Sequence, residues 1–292
     1  MSPLGAGWGE GADLVVSGIL GLIFGSFANV CIHRIPNKRS IVWPASSCPS
    51  CGATIRWFDN IPVISWLALR GRCRTCRAAI PIRYPAVEIS SALLLVALCA
   101  QHGLTLRWAA LSYMALSVLV LIPIDLDLGI LPDKITLTGT AAGMGFALFT
   151  KLGWQEALMG AAVGAGVPLV LRAGYIAYAR LRDRGGGSDA PGEPEDAELA
   201  ARRREGMGLG DVKMLAMVGA FLGLPRVLLT IVLGSMIGTL TVVPLLLLGR
   251  LSMKSPVPFG PFLGVAALIS MFWGTRIIAW YLHLALPLPV GG

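Results

Sequence analysis

The chain has 292 residues, of which 55% are hydrophobic and only 14% are charged, and its mean hydropathy is +0.73. Soluble domains usually carry about 25% charged residues, so this composition excludes an ordinary soluble protein. The formal charge of +8 comes from basic residues clustered in alternate loops between apolar runs, so membrane topology accounts for it without a nucleic-acid partner. We therefore predict an all-α polytopic membrane protein that does not bind nucleic acid.

About eight transmembrane helices are expected, because a spanning helix needs roughly 20 mostly apolar residues. The fourth candidate is rich in Gly and Thr and the sixth is short, so these two are the weakest. The positive-inside rule places the first loop, 33–85 with its nine Lys and Arg, in the cytoplasm and both termini outside. The candidates are 13–32, 86–102, 107–124, 136–152, 156–179, 210–224, 227–249 and 258–284.

A tetracysteine motif lies in the loop 33–85, which is too small to fold on a hydrophobic core alone. Cys48-x2-Cys51 is followed after 21 residues by Cys73-x2-Cys76. Two such pairs are typical of a tetrahedral Zn²⁺ site with four thiolate ligands. Two disulfides are the alternative, which the reducing cytoplasm disfavours. Because a four-thiolate site has no open position, we expect a structural zinc knuckle.

Two acids stand beside apolar runs at the same predicted face of the membrane. Asp125, in "IDLDLGILPD" (124–133), ends the third span, and Asp211, in "GMGLGDVK" (206–213), begins the sixth. An acid at the edge of a membrane helix is a functional-site hypothesis by default. Two carboxylates brought close share one proton, so that one serves as base to a water and the other as acid to a scissile carbonyl. The pattern predicts aspartic peptidase chemistry.

Neighbouring residues leave alternatives open. Gly208 and Gly210 are expected to permit positive φ angles and close approach of the backbone, supporting Asp211. The alternative for Asp211 is an ordinary helix N-cap. Asp133 fits a solvated N-cap before the next helix, and Asp127 fits either a solvated loop or a supporting role.

The segment 182–206 consists mainly of Gly, Pro, Ser, acidic residues and Arg, with almost nothing to bury. This composition predicts a mobile cytoplasmic linker. A short charged helix at 195–204 is the alternative. We expect three regions: 1–32 as the first span, 33–85 as the zinc-binding insert and 86–292 as the membrane peptidase region that contains the linker.

The motifs along the chain resemble those of the bacterial type IV prepilin peptidases, within the GxGD intramembrane aspartyl peptidases. The resemblance covers most of the chain and includes the tetracysteine motif. The other matching stretches are "GSFANVCIHRIP" (25–36), "NIPVISWLALRGRCRTC" (60–76), "IRYPAVE" (82–88), "DLDLGILPD" (125–133), "GLGDVK" (208–213) and "PFGPFL" (258–263).

The resemblance implies that Asp125 and Asp211 are the two catalytic acids, since starting the first motif at Asp127 puts Pro132 out of register. Lys213 matches the motif lysine, which suggests a supporting role. The family cleaves the basic leader from type IV prepilins and pseudopilins, as used in type IV pili and type II secretion. Members with the cytoplasmic insert also N-methylate the new terminus with S-adenosylmethionine, so both activities are implied.

The family's location implies a multi-pass protein of the bacterial inner membrane with its catalytic acids toward the cytoplasm. A membrane receptor or assembly platform with a zinc-stapled head is the non-enzymatic alternative. That alternative explains the spans and the insert. It does not explain two acids at matching depth, one of which follows two glycines.

Overall fold

The computed structural model describes residues 8–184, 208–250 and 257–285, and this part of the chain is helical without any β-strand. A short 3₁₀ helix, Trp57–Asn60, precedes the second α-helix. The predicted linker at 182–206 lies outside the described residues apart from its first three positions. The α-helices are α1 Trp8–Arg34, α2 Ile64–Ala68, α3 Arg83–His102, α4 Leu106–Leu128, α5 Asp133–Ala147, α6 Trp154–Arg184, α7 Leu209–Leu222, α8 Leu224–Leu247 and α9 Gly260–Ala285.

Each of the eight predicted apolar segments forms a helix, but only six helices in the described residues are long and apolar enough to cross a membrane. Among the described residues the structure therefore supports six full spans where about eight were predicted, and the other two predicted segments form shorter helices. The exceptions are α5 and α7, with 15 and 14 residues. At 1.5 Å per residue they are roughly 21–23 Å long, short of the roughly 30 Å hydrocarbon core. The run-length estimate counted residues that the structure places in turns.

The chain divides into two compact units, residues 1–135 and 136–292. In the first unit, α1 packs closely along α3 because small residues line the contact. A Cβ at Gly21 would lie 2.5 Å from the Cα of Ala92, so only glycine fits there. The Ser91 hydroxyl donates to the Gly21 carbonyl at 2.6 Å, and the Asn29 amide donates to the Tyr84 carbonyl at 3.0 Å. These hydrogen bonds fix the two spans in one register.

In the second unit, α6 crosses α7 through facing glycines. A Cβ on Gly219 would overlap the carbonyl of Gly160, and a Cβ on Gly164 would overlap that of Leu215. This is the small-residue packing expected of membrane helices. Ten of the 14 residues of α7 are buried, among them Met214 and Leu215. The short helix α7 is thus enclosed by protein.

Candidate metal centre and active site

The four motif cysteines come together in the folded insert, although their two pairs are far apart in sequence. Their sulfur atoms all lie within 4.8 Å of one another, and the Cys48 and Cys76 sulfurs are 3.8 Å apart. A tetrahedral ion with metal–sulfur bonds of about 2.3 Å has sulfur–sulfur edges of about 3.8 Å. The donor set and its spacing therefore fit one soft divalent ion.

Each cysteine pair lies on a knuckle that its own backbone closes. The Cys48 N–H donates to the Ala53 carbonyl at 2.9 Å, and the Cys73 N–H donates to the Ala78 carbonyl at 2.9 Å. The residue after each pair adopts a left-handed backbone, at φ 70° for Gly52 in the first knuckle and 61° for Arg77 in the second. The two knuckles thus share one geometry, as the paired spacing predicts.

The thiols differ in acidity because their surroundings differ. Backbone N–H groups of Cys51 and Ser50 lower the pKa of Cys48 to about 6. For Cys76 the Ala78 N–H also favours the thiolate, but desolvation and the three neighbouring thiols outweigh it and raise the pKa to about 11. Four sulfurs this close cannot all carry negative charge without a cation between them. The electrostatics of the cluster therefore also fit a metal.

Asp125 lies in the last turn of α4 and is only 5% exposed. The helix ends at Gly129, whose left-handed conformation (φ 62°) lets its N–H donate to the Asp125 carbonyl at 2.8 Å. Ile124 beside it packs into a cluster with Ala28 and Val87. The end of α4 is therefore rigidly held, and the Asp125 side chain faces protein.

Asp127 differs from Asp125 in both exposure and partner. Its carboxylate is 51% exposed and forms an ion pair with Arg83, the first residue of α3. Asp133 is exposed in the first turn of α5. Of the three acids in this motif, only Asp125 is buried, which agrees with the motif register that selected it.

Asp211 lies in the first turn of α7 and is 8% exposed. It is the third helical residue after Gly208, the N-cap, so its role is not that of an N-cap. A Cβ at Gly208 would lie 3.3 Å from Asp211 Oδ2, closer than most side chains tolerate. Gly208 therefore gives room to this carboxylate. The expected positive φ is wrong, because Gly208 has φ −66° and Gly210 is helical.

Asp125 belongs to the first compact unit and Asp211 to the second, so their convergence stays a prediction. Lys213 is half-buried on α7, two residues after Asp211. The structure thus brings together the four cysteines, and it places each acid separately, as a buried residue near the end of a helix.

Sequence reasoning assigned no role to Glu88, which the structure places in α3 with 8% exposure. Its Oε2 accepts the backbone N–H of Val63, in the insert, at 2.7 Å. An acid beside a long apolar run is the same signal that singled out the two aspartates, so it pointed to Glu88 as well. Its partner lies 25 residues away and could not be identified from the sequence.

Two family models match the chain. Residues 19–102 match the bacterial peptidase A24 N-terminal domain, and residues 110–243 match the type IV leader peptidase family. The first match contains the C-terminal part of α1, the insert with its cysteine cluster and α3. The second contains Asp125 and Asp211, so both buried acids fall within the peptidase model.

Several curated relatives match over nearly the whole chain, each named prepilin leader peptidase/N-methyltransferase. The relative from Aeromonas salmonicida is 36% identical, with 92% of this chain and 93% of the relative covered. The one from Pseudomonas aeruginosa is 34% identical, with 91% and 92% covered. The one from Myxococcus xanthus is 36% identical, with 87% and 70% covered. No solved structure matches the chain. The chain belongs to the type IV leader peptidase family, in the form that carries the A24 N-terminal domain.

Proposed function

We propose that this protein removes the basic leader of type IV prepilins or pseudopilins and then N-methylates the new N-terminus. The observation that carries the proposal is the pair of buried carboxylates, Asp125 at 5% and Asp211 at 8% exposure, inside a chain of this family. Buried acids at the ends of helices are costly and are kept for chemistry. The same chain carries the cysteine insert, which lies within the A24 N-terminal match.

For cleavage, Asp125 and Asp211 share one proton across a water molecule. Asp211 lies at the N-terminus of α7, where the helix dipole favours an anion, so it is the ionised member that takes a proton from the water. Asp125 lies at the C-terminal end of α4, where the dipole favours the neutral acid, so it donates its proton to the scissile carbonyl. Water attacks the carbonyl carbon as these two protons move; the carbon–nitrogen bond then breaks as the leaving nitrogen takes the proton that Asp211 received and Asp125 regains its proton from the intermediate. Lys213, half-buried nearby in sequence, is proposed to help position the substrate.

For methylation, Cys48, Cys51, Cys73 and Cys76 would hold a structural Zn²⁺, the soft ion that a closed set of four thiolates suits. The ion stabilises the insert and takes no part in the chemistry. S-adenosylmethionine supplies the methyl group when it is bound. The chain's own task is to hold the new N-terminal amine, deprotonated, in line with that methyl group.

The proposed arrangement in the membrane follows from charge and substrate. The three regions are 1–32, 33–85 and 86–292, with the insert and the linker in the cytoplasm and both termini in the periplasm of an inner-membrane protein. A prepilin has a cationic leader followed by an apolar helix. Its helix would enter the bilayer beside the spans while the leader stays in the cytoplasm, which brings the scissile bond to the level of the two acids.

The test measures the rate at which the Asp125→Asn and Asp211→Asn variants cleave a prepilin in membranes. Removing a member of a catalytic acid pair should lower the rate by at least roughly 100-fold, since general acid–base catalysis contributes about 10²–10⁴-fold. Metal content and membrane insertion should not change. Asp133→Asn is the matched control, because Asp133 is exposed in the same motif and should leave cleavage unchanged.

Full cleavage by both Asn variants would reject the peptidase and favour a receptor or assembly platform. Loss of methyl transfer to an already cleaved pilin in the same variants would show that the two activities share one site, contrary to the proposal.

A further inference from the structure

Glu88 is a buried acid that the proposed peptidase chemistry does not use. Its carboxylate lies in the second turn of α3 and is joined to two other parts of the first unit. Oε2 accepts the Val63 N–H at 2.7 Å, and the Ser26 hydroxyl of α1 is its other hydrogen-bond partner. A buried carboxylate with partners on separate elements links them rigidly, because any motion would leave it unpaired.

The backbone that Glu88 holds is unusual. Val63 has φ 61° and ψ −49°, and the Ile64 N–H donates to the Pro62 carbonyl at 2.6 Å across it. This is a γ-turn of the rare, positive-φ form, which is strained for a β-branched residue. Strained turns persist where the surroundings over-determine them, and they cluster at functional sites. The hydrogen bond that the Glu88 carboxyl group accepts from the Val63 N–H supplies that support.

The held turn is continuous with the metal cluster. Val63 directly precedes α2, whose Trp66 indole N–H donates to the Ile80 carbonyl at 3.1 Å. The Gly71 N–H donates to the Trp66 carbonyl at 2.8 Å, and the Ile80 N–H donates to the Gly71 carbonyl at 2.7 Å. Gly71 lies two residues before Cys73. The turn, α2 and the second knuckle therefore form one hydrogen-bonded body.

The two spans next to Glu88, α1 and α3, are also held firmly together. A Cβ on Gly25 of α1 would lie 2.7 Å from the Glu88 Cα and would overlap the Ser91 hydroxyl. Helices α1 and α3 are thus in backbone contact at the level of Glu88. The backbone of Glu88 is therefore held between the two spans.

We propose that Glu88 is a positioning residue that holds the cysteine insert against the first two spans, and that methyl transfer depends on it while leader cleavage does not. This inference rests on the proposed function. In methyl transfer the amine nitrogen forms a bond to the methyl carbon as the carbon–sulfur bond of the sulfonium breaks, after the ammonium has released its proton to water. Displacing one reactant by about 1 Å can cost such a step about 100-fold.

The experiment compares Glu88→Ala with Glu88→Gln in the full-length protein in membranes. Three quantities are measured: amide hydrogen exchange of residues 62–72, metal content, and the rates of prepilin cleavage and of methyl transfer to a mature pilin with an unmethylated terminus. Glu88→Ala should raise the amide exchange of residues 62–72, because the Val63 N–H loses its acceptor. The rate of methyl transfer should fall by roughly tenfold or more, because the insert is no longer held in place. Cleavage should stay within about twofold of the wild-type rate and the metal should remain bound. The reason is that Glu88 is joined to Val63 and Ser26 rather than to the catalytic acids or the cysteines.

Glu88→Gln separates positioning from direct chemistry. Its amide oxygen can still accept the Val63 N–H, so exchange and methyl transfer should recover well above the Glu88→Ala values. Asp59→Asn is the matched control, since Asp59 is a carboxylate of the insert whose partner, Arg74, is also in the insert. It should change neither exchange at 62–72 nor methyl transfer.

Three results would overturn the proposal: unchanged exchange and methyl transfer in Glu88→Ala, loss of cleavage in parallel with methylation, or a Glu88→Gln protein with a protected insert but no methylation. A wild-type protein that neither cleaves nor methylates would instead refute the proposed function, and the exchange comparison would still report on the Glu88–Val63 link.

Discussion

The cysteine insert and the α6–α7 pair achieve stability in opposite ways. The insert leaves large apolar side chains in the open, with Trp57 82% and Trp43 76% exposed, and holds its shape through four sulfurs and a few hydrogen bonds. In helix α7, by contrast, the side chains of Met214, Leu215 and Met217 are completely buried. A segment too small for a core depends on a few strong local links, whereas the membrane helices depend on many weak contacts made possible by glycine.

The largest effect is expected from breaking the metal cluster. Cys73→Ser removes one of four thiolates, and structural zinc contributes roughly 10–16 kcal/mol of apparent binding energy in small domains. We expect loss of the bound metal and of amide protection throughout the insert, with the helices of the second unit unaffected. Elemental analysis and hydrogen exchange measure the two effects.

The matched control is Cys99→Ala, which removes a thiol in α3 outside the cluster and should keep the metal. Metal retained at full stoichiometry in Cys73→Ser would show that the cluster is not a four-thiolate site.

The next largest effect is expected at the contact between α6 and α7. Gly219→Ala places a methyl group against the Gly160 carbonyl, where neither backbone can give way. Overpacking of this kind costs about 1–3 kcal/mol or more. We expect a lower thermal unfolding temperature for the second unit in detergent.

Gly166→Ala supplies the comparison, because Gly166 is on α6 with open space around it. Helix propensity alone should make that variant about 0.5–1 kcal/mol more stable. Equal destabilisation by both alanines would mean that close glycine contact is not what joins these helices.

A smaller effect is expected at the two knuckle turns. Arg77 occupies the left-handed position that Gly52 occupies in the other knuckle, and the left-handed conformation costs a residue with a side chain about 1–2 kcal/mol. Arg77→Gly should therefore stabilise the metal-bound insert slightly, while Gly52→Ala should destabilise it by about 1 kcal/mol. Competition for the metal by a chelator would rank the three proteins, and the reverse order would contradict the shared geometry of the knuckles.

The smallest effect is expected from the ion pair between Asp59 and Arg74, whose closest N···O distance is 2.6 Å. The hydrogen bond from Arg74 lowers the pKa of Asp59, so the carboxylate is charged at neutral pH. Because the Arg74 side chain is half-exposed, salt screens this pair and its contribution is small. Asp59→Asn should change insert exchange only slightly, and the difference from wild type should vanish in 1 M salt.

The sequence predicted what depends on local pattern. Paired cysteines at fixed spacing specify a metal site, and apolar runs specify helices, so the cluster and the helices of all eight apolar segments were identified. Run length alone overestimated the number of full spans, because it cannot tell a helix enclosed by protein from one that faces lipid. The separation of Asp125 from Asp127 needed burial and the ion pair with Arg83, although the motif register pointed the same way.

Other features depend on contacts between distant residues. Gly208 was expected to adopt a positive φ, but its φ is negative. The lack of a side chain at Gly208 instead leaves room for the Asp211 carboxylate three residues later. The apolar run beside Glu88 marked the acid, but the role of Glu88 was missed because its partner is a backbone N–H, which has no sequence signature. The meeting of Asp125 and Asp211 remains a prediction because the two acids belong to different compact units.

The shortness of α7 has a consequence for how water reaches a peptide bond in a membrane. A helix of 14 residues spans about 21 Å, roughly 9 Å less than the hydrocarbon layer. Because its neighbours surround it, α7 has no lipid boundary whose thickness it must match. Leu209 at its start is 48% exposed whereas Met214 is fully buried, so α7 begins at the protein surface and carries Asp211 just beneath it, within reach of water.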